Sequence, residues 1–273
     1  MRDYRVPTKK KKWIVAIFLS VFLLTCITAC VSAYQGATKL IVVKYEVMTD
    51  MTESIRIVHL TDLHGKVFGA DNDVLVQMVA MQGPDLILMT GDMIDKSDEN
   101  SGVVYNLIDC LAEVAPVYYG YGNHEIFWMD TTGIDLESIL ADAGAVVLNC
   151  DFLDVFVKGQ QLRIGGYYNY YRQPHMYPLT SEQKLAENDF ADNFENTYSY
   201  KILLSHIPTA WLDWEYIDKY PVDLVLTGHY HGGQIRLPFV PPPKPRNRPR
   251  AKFSAKTFPL SPAAPRSIPR PRS

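Results

Sequence analysis

The stretch SIRIVHLTDLHG, residues 54–65, begins as an apolar run of strand length and ends on an acid, an imidazole and a glycine. The same pattern returns four more times. DLILMTGD (85–92) ends on Asp92, PVYYGYGNHE (116–125) carries Asn123 and His124, YKILLSH (200–206) ends on His206, and VDLVLTGHYH (222–231) carries His229 and His231. Short β-rich runs bounded by Gly, Pro and polar residues read as strands. Amphipathic stretches at 72–81, 103–113 and 134–143 read as helices between them. This alternation predicts an α/β body of two face-to-face sheets with helices outside.

Two other segments complete the expected body. KLIVVKYEV (39–47) reads as a leading strand, and AVVLNCDFLDVFVKGQQLRIGGY (145–167) as two antiparallel runs about Lys158-Gly159-Gln160. Residues 168–198 open as an aromatic, proline-bearing loop and continue as a polar helix. That loop suits either substrate contact or a packed cap.

In an open α/β sheet the carboxyl ends of the strands form one crevice, so residues distant in sequence converge there. Each of the five strand ends delivers metal-ligand chemistry: Asp62 and His64, Asp92, Asn123 and His124, His206, and His229 with His231. The Asp-x-His and His-x-His spacings would point both side chains to one side of an extended segment. A carboxylate, amide and imidazole set without thiolate suits Mn, Fe, Ni, Co or Zn better than Ca, Mg or Cu(I). Seven ligands fit two metals sharing a carboxylate, the arrangement that clamps a phosphoryl group and lowers the pKa of a bridging water.

Asp62-x-His64, Gly91-Asp92, Gly122-Asn123-His124-Glu125, Ser205-His206 and Gly228-His229-Tyr230-His231-Gly232-Gly233-Gln234 resemble, in order, the five blocks of the calcineurin-like metallophosphoesterase family. With the N-terminal apolar segment, HGGQIRLP is similar in particular to the small membrane-anchored bacterial phosphodiesterases of YaeI and YkuE type. The resemblance implies a four-layer α/β/β/α sandwich of two mixed sheets. It implies Asp62, His64 and His231 on one divalent or mixed-valence metal ion and Asn123, His206 and His229 on a second, with Asp92 bridging. It further implies a metal-bridging hydroxide as nucleophile, with His124 assisting the leaving group or donating to the phosphate. His59 reads as core or as support for the ligands, Glu125 as an anchor of the His124 loop, and His175 as open to substrate contact. Tyr230 sits within a motif with no assigned role.

Residues 13–34, WIVAIFLSVFLLTCITACVSAY, carry no charge and follow a basic stretch that includes Lys9–Lys12. About 20 apolar residues span a bilayer core as a helix, so this segment reads as a transmembrane helix or signal anchor. The flanking charge favours a cytoplasmic residue 1–12 segment, a single pass through the cell membrane and an extracytoplasmic catalytic domain over 35–239. A basic stretch followed by an apolar run also describes a cleaved signal peptide, and Ile27-Thr28-Ala29-Cys30 resembles a lipobox, so the alternatives are plain secretion and a lipoprotein at Cys30. Cys110 and Cys150 suit one disulfide or two lone thiols.

The net charge of −3 hides a segregation: residues 37–233 hold 29 acidic and 11 basic side chains, while ten basic and no acidic residues follow Gln234. Such an acidic body argues against a nucleic-acid backbone as main partner and favours cations. Eleven of the 18 prolines lie between Pro238 and Pro271, and proline cannot donate to a sheet ladder. Residues 240–273 therefore read as a Pro/Arg-rich tail, disordered or the product of a shifted frame, leaving the second sheet incomplete. As a functional segment, the tail would dock an aromatic groove or anionic lipid.

Together these features predict a membrane-anchored, dinuclear metal-dependent phosphoester hydrolase, a diesterase more than a monoesterase, acting on a lipid-linked or cell-envelope substrate. The alternative is a weakly active or inactive scaffold of the same fold.

Overall fold

Leu86-Ile87-Leu88-Met89 is buried on both faces, which requires a strand with packed layers above and below it. In the computed structural model, which describes residues 9–38, 40–98, 101–168, 180–212 and 216–231, that strand lies inside the first of two four-stranded sheets. The expectations for His175 and for residues 240–273 fall outside the described residues.

The first sheet has the order β1 (Ile57–Leu60), β2 (Leu86–Met89), β3 (Val117–Gly120), β4 (Ala145–Leu148), and every pairing in it is parallel. The second has the order β5 (Asp151–Val157), β6 (Gln160–Gly166), β7 (Tyr200–Leu204), β8 (Leu224–Leu226) and is mixed, antiparallel only between β5 and β6. Parallel neighbours need crossovers. Helices α2 (Asp73–Ala80), α3 (Gly102–Ala112) and the pair α4 (Asn123–Thr132) and α5 (Leu136–Asp142) supply these in the first sheet, α6 (Ser181–Glu195) and the short α7 (Thr209–Leu212) in the second.

The period of two along each strand sorts its side chains between cores. Ile87, Met89, Val117 and Tyr119 join Leu75, Val79, Leu107, Ile108 and Leu140 beneath the helices of the first sheet. Leu86, Leu88 and Tyr118 point the other way and meet Leu162, Ile164, Ile202 and Leu204 of the second sheet. Leu203 packs outward with Phe190, Phe194 and Trp211. Three cores between four layers are the expected α/β/β/α sandwich, and each fully buried Leu or Ile contributes about 1.5–3 kcal/mol. The expectation of two mixed sheets holds only for the second, because a helical crossover joins every neighbouring pair of the first and makes it wholly parallel among the described residues.

Three expectations change. Residues 40–49 form no strand, and Ile41, Val43, Tyr45 and Val47 are exposed; β propensity needs a neighbouring edge to act on. Residues 145–167 form three strands, because Cys150 adopts a left-handed φ of 55° and turns the chain from the first sheet to the second. The Asn123–Thr132 helix was not foreseen, since its burial is confined to Glu125 and Trp128. Cys110 and Cys150 are free thiols, the former exposed.

The N-terminal helix α1 (Lys9–Thr38) includes a segment, Lys12–Ser32, that is long and apolar enough to cross a membrane. Two of its hydroxyls bond within the helix: Thr25 donates to the Val21 carbonyl at 2.8 Å and Thr28 to that of Leu24 at 3.0 Å. A helix in lipid must satisfy its polar groups internally in this way.

Candidate metal centre

All eight predicted residues stand at the carboxyl ends of β1, β2, β3, β7 and β8. Asp62, His64 and His231 place ligand atoms within 4.8 Å of one another, as do Asp92, His206 and His229. Asn123 joins the second group through its Oδ1, 3.0 Å from His229 Nδ1. Asp92 lies between the groups, its Oδ2 3.0 Å from His206 Nε2 and 3.8 Å from His64 Nε2.

The local backbone differs from the extended geometry that the i, i+2 spacing suggested. Asp62, His64, Asp92, His229 and His231 all have left-handed φ, between 47° and 69°. Such a conformation costs a non-glycine residue roughly 1–2 kcal/mol, so strain is concentrated at the expected ligands. Tight loops hold it: Asp62 N–H donates to the Gly91 carbonyl (3.1 Å), His64 N–H to that of Asp92 (2.9 Å) and Gly228 N–H to that of His206 (2.9 Å). A Cβ on Gly91 would fall 1.9 Å from Gly122 N, and one on Gly228 2.0 Å from Thr61 Oγ1. Glycine lets these loops touch.

Glu125 does more than anchor its own loop. Its fully buried carboxylate accepts from the backbone N–H of Asp92, Met93 and Gly122, each at 2.8 Å, and from the Tyr119 hydroxyl at 2.8 Å. One side chain therefore ties the Asp92 loop to the start of α4, where Asn123 and His124 sit. The Glu at the third position after Gly122 was the available sign of this helix start.

His206 is the sharpest probe of what the centre accommodates. Its Nδ1 donates to the Thr90 carbonyl at 2.7 Å, so the neutral ring presents only a lone pair at Nε2. That atom is buried without an aligned hydrogen-bond partner among the described residues, although Asp92 Oδ2 is 3.0 Å away. Two acceptors facing each other out of contact with water call for a cation between them. Burial opposes the charged His206 ring, yet the Asp92 carboxylate and Thr90 carbonyl hold its pKa above the ordinary value. Burial likewise opposes ionisation of Asp92, but His206 and the His124 N–H keep that carboxyl below the usual carboxylate range. Burial lowers the pKa of His64 and of His229, with neighbouring imidazoles adding to it, which keeps both rings available as neutral ligands. His64 Nε2 and His231 Nε2 face each other at 3.2 Å over rings stacked 4.7 Å apart. The donor set and this unmatched lone pair fit divalent ions.

Asp95, three residues past Asp92, has no role in the expectations drawn from the sequence. Its Oδ2 lies 3.6 Å from His64 Nδ1 and 3.8 Å from His124 Nδ1, and the Lys96 N–H donates to His124 Nδ1 at 3.1 Å. The acceptor role of Nδ1 leaves Nε2 as the donor of the neutral His124 ring. His59 acts as support: its Nε2 shares a 2.7 Å hydrogen bond with the hydroxyl of Thr90, whose carbonyl orients His206. Burial lowers the His59 pKa to about 4.

Residues 55–233 match the family described as Calcineurin-like phosphoesterase. The chain belongs to this family. Membership implies divalent metal ions, in agreement with the donor set above. The metallophosphoesterase YkoQ of Bacillus subtilis is 25% identical over 189 residues, covering 68% of this chain and 64% of the relative. Phosphodiesterase YaeI of Escherichia coli is 28% identical over 199 residues, 71% of this chain and 67% of the relative. The metallophosphoesterase YkuE of Bacillus subtilis is 27% identical over 197 residues, 70% of this chain and 63% of the relative. The chain thus spans about two thirds of the length of these curated relatives.

Proposed function

We propose that this chain hydrolyses phosphoesters, diesters in preference to monoesters, at a centre of two divalent or mixed-valence transition metal ions. Asp62, His64 and His231 would hold one ion, Asn123, His206 and His229 the other, with Asp92 shared. The observation that carries this reading is Asp92, set between the two imidazole groups with an unmatched His206 lone pair facing it. Ions bound there acidify a water and stabilise charge on the phosphoryl oxygens. The balanced reaction forms a bond from the water oxygen to phosphorus, breaks the ester P–O bond and returns a proton to the leaving oxygen.

His124 takes the donor role. With Nδ1 accepting from Lys96 N–H, the ring offers Nε2–H as a hydrogen bond to oxygens that gain charge in the transition state. The name of YaeI supports the diesterase preference. The basic residues ahead of the apolar span Lys12–Ser32 support a single-pass anchor in the cell membrane with the body over 35–239 outside the cytoplasm. A site tethered there favours lipid-linked or cell-envelope phosphoesters, and the acidic body disfavours nucleic acid.

The test uses the full chain in detergent with bis(p-nitrophenyl) phosphate and Mn, Fe, Ni, Co or Zn supplied in turn. Turnover with at least one metal is expected, and His124→Ala should lower kcat by about 10²-fold with metal content retained. A folded protein silent with all five metals contradicts the proposal.

A further inference from the structure

Phe127 and Tyr230 are large aromatic residues left about half exposed, at 52% and 50%, each within one helical turn or one residue of an expected metal ligand. Each is anchored by its position. Phe127 lies one helical turn after Asn123 and His124 on α4, so the three share a face. A helical side chain covers the surface over the turn preceding its own Cα, which here is the turn bearing Asn123 and His124. It takes no part in the core beneath the first sheet, although its neighbours Ile126, Trp128 and Met129 do.

Tyr230 stands between two expected ligands, its ring 5.9 Å from that of His229. Its hydroxyl is 3.2 Å from Thr209 Oγ1 at the start of α7, which links the loop after β8 to the loop after β7 that carries His206. An exposed phenol tied at its tip has a fixed orientation and an open face. His229 Nδ1 in turn meets Asn123 Oδ1 at 3.0 Å, so Tyr230 stands next to one member of this pair and Phe127 one helical turn from the other.

We infer that Phe127 and Tyr230 form an apolar rim beside the Asn123–His229 pair that takes an apolar ester substituent of the phosphoester. This deepens the hydrolase reading by naming a substrate class, and it rests on that reading for the place of the phosphate. Aromatic faces recognise flat rings by stacking and alkyl chains by area. The same rim therefore suits an aryl or a lipid substituent. A small polar substituent gains nothing from it.

Binding tests the rim without requiring turnover. The full chain, loaded with Mn²⁺ in detergent, is titrated calorimetrically with methylphosphonate, phenylphosphonate and hexylphosphonate. The wild type should bind phenyl- or hexylphosphonate at least about tenfold more tightly than methylphosphonate, the ratio that stacking and burial of one ring or chain supply. The larger of the two ratios identifies the substituent as aryl or alkyl. Phe127→Ala and Tyr230→Ala should each reduce that preference and the double variant abolish it, while Tyr230→Phe, which keeps the ring, should retain it. Equal affinity for all three phosphonates in the wild type, or a preference that survives in the double variant, overturns the rim. A preference present in a protein that cleaves no diester leaves the rim standing and removes the hydrolase reading; turnover without preference does the reverse.

Discussion

The two ends of the same parallel strands are built on opposite rules. At the amino ends, charges meet partners of opposite sign. Lys201 Nζ is 3.2 Å from Asp223, which also accepts the Lys201 N–H at 2.8 Å. Asp85 accepts from Arg56 N–H and from Lys158 Nζ, both at 2.7 Å. Although burial works against it, these two donors hold the Asp85 carboxyl below its ordinary range. Even the amide of Gln160 is used twice, accepting from Thr52 N–H and donating to the Glu53 carbonyl. At the carboxyl ends, imidazoles crowd one another, a lone pair faces a carboxylate, and five ligand-type residues hold left-handed backbone. One end of the sandwich closes its polar groups on themselves, and the other holds them open toward ions.

The largest expected effect tests what secures the open end. Glu125→Ala leaves three backbone N–H donors and the Tyr119 hydroxyl without their acceptor, at about 1–3 kcal/mol for each one that stays buried. The expected loss is more than about 3 kcal/mol by denaturant titration, with metal content falling alongside. Asp85→Ala at the amino end, where Lys158 is well exposed, should cost only about 1 kcal/mol and leave metal content intact. Similar costs and similar metal loss from the two substitutions would erase the distinction between the ends.

The next effect is one of pH. His59 has a native pKa of about 4 against 6.5 in the unfolded chain, so below pH 6.5 the unfolded state binds more protons. Stability from this group is fully present above pH 6.5 and is lost as pH falls toward 4. It amounts to roughly 2–3 kcal/mol after allowance for partial exposure. Denaturant midpoints measured from pH 7 to pH 4 should fall less steeply in His59→Gln than in the wild type; parallel curves would remove His59 from the account.

The smallest effect isolates backbone strain. His64→Gly keeps the left-handed turn available at no steric cost but adds unfolded-state entropy, so metal-free stability should rise by roughly 0.5–1 kcal/mol. Metal affinity should fall. A destabilised metal-free variant would show that His64 is not strained.

The clustering of the expected ligands was legible because each member follows an apolar run, and the packing direction of parallel strands gathers such ends in one place. Strands β2 and β7 and helices α2 and α3 were legible for the same reason: their periods match their burial. The geometry of the ligands was not. An i, i+2 spacing looks alike whether Asp62 and His64 lie on an extended chain or on two left-handed turns. The assignment of 145–148 to the first sheet depended on one positive φ at Cys150, a residue type that gives no sign of it. Residues 40–47 have strand composition, but composition does not supply an edge to pair with. Asp95 and the double role of Glu125 arise from loops meeting in space, and only Glu125 left a trace, in its spacing from Gly122.

The central claim is that the open end binds two metal ions through Asp92 and the imidazoles on either side of it. The most direct measurement is metal content per chain by elemental mass spectrometry, on the full chain in detergent after Mn²⁺ loading and desalting. The account predicts about two ions in the wild type and a loss of at least one in His206→Ala, with thermal melting showing both proteins folded. Fewer than one ion in the folded wild type, or an unchanged content in the variant, would contradict it.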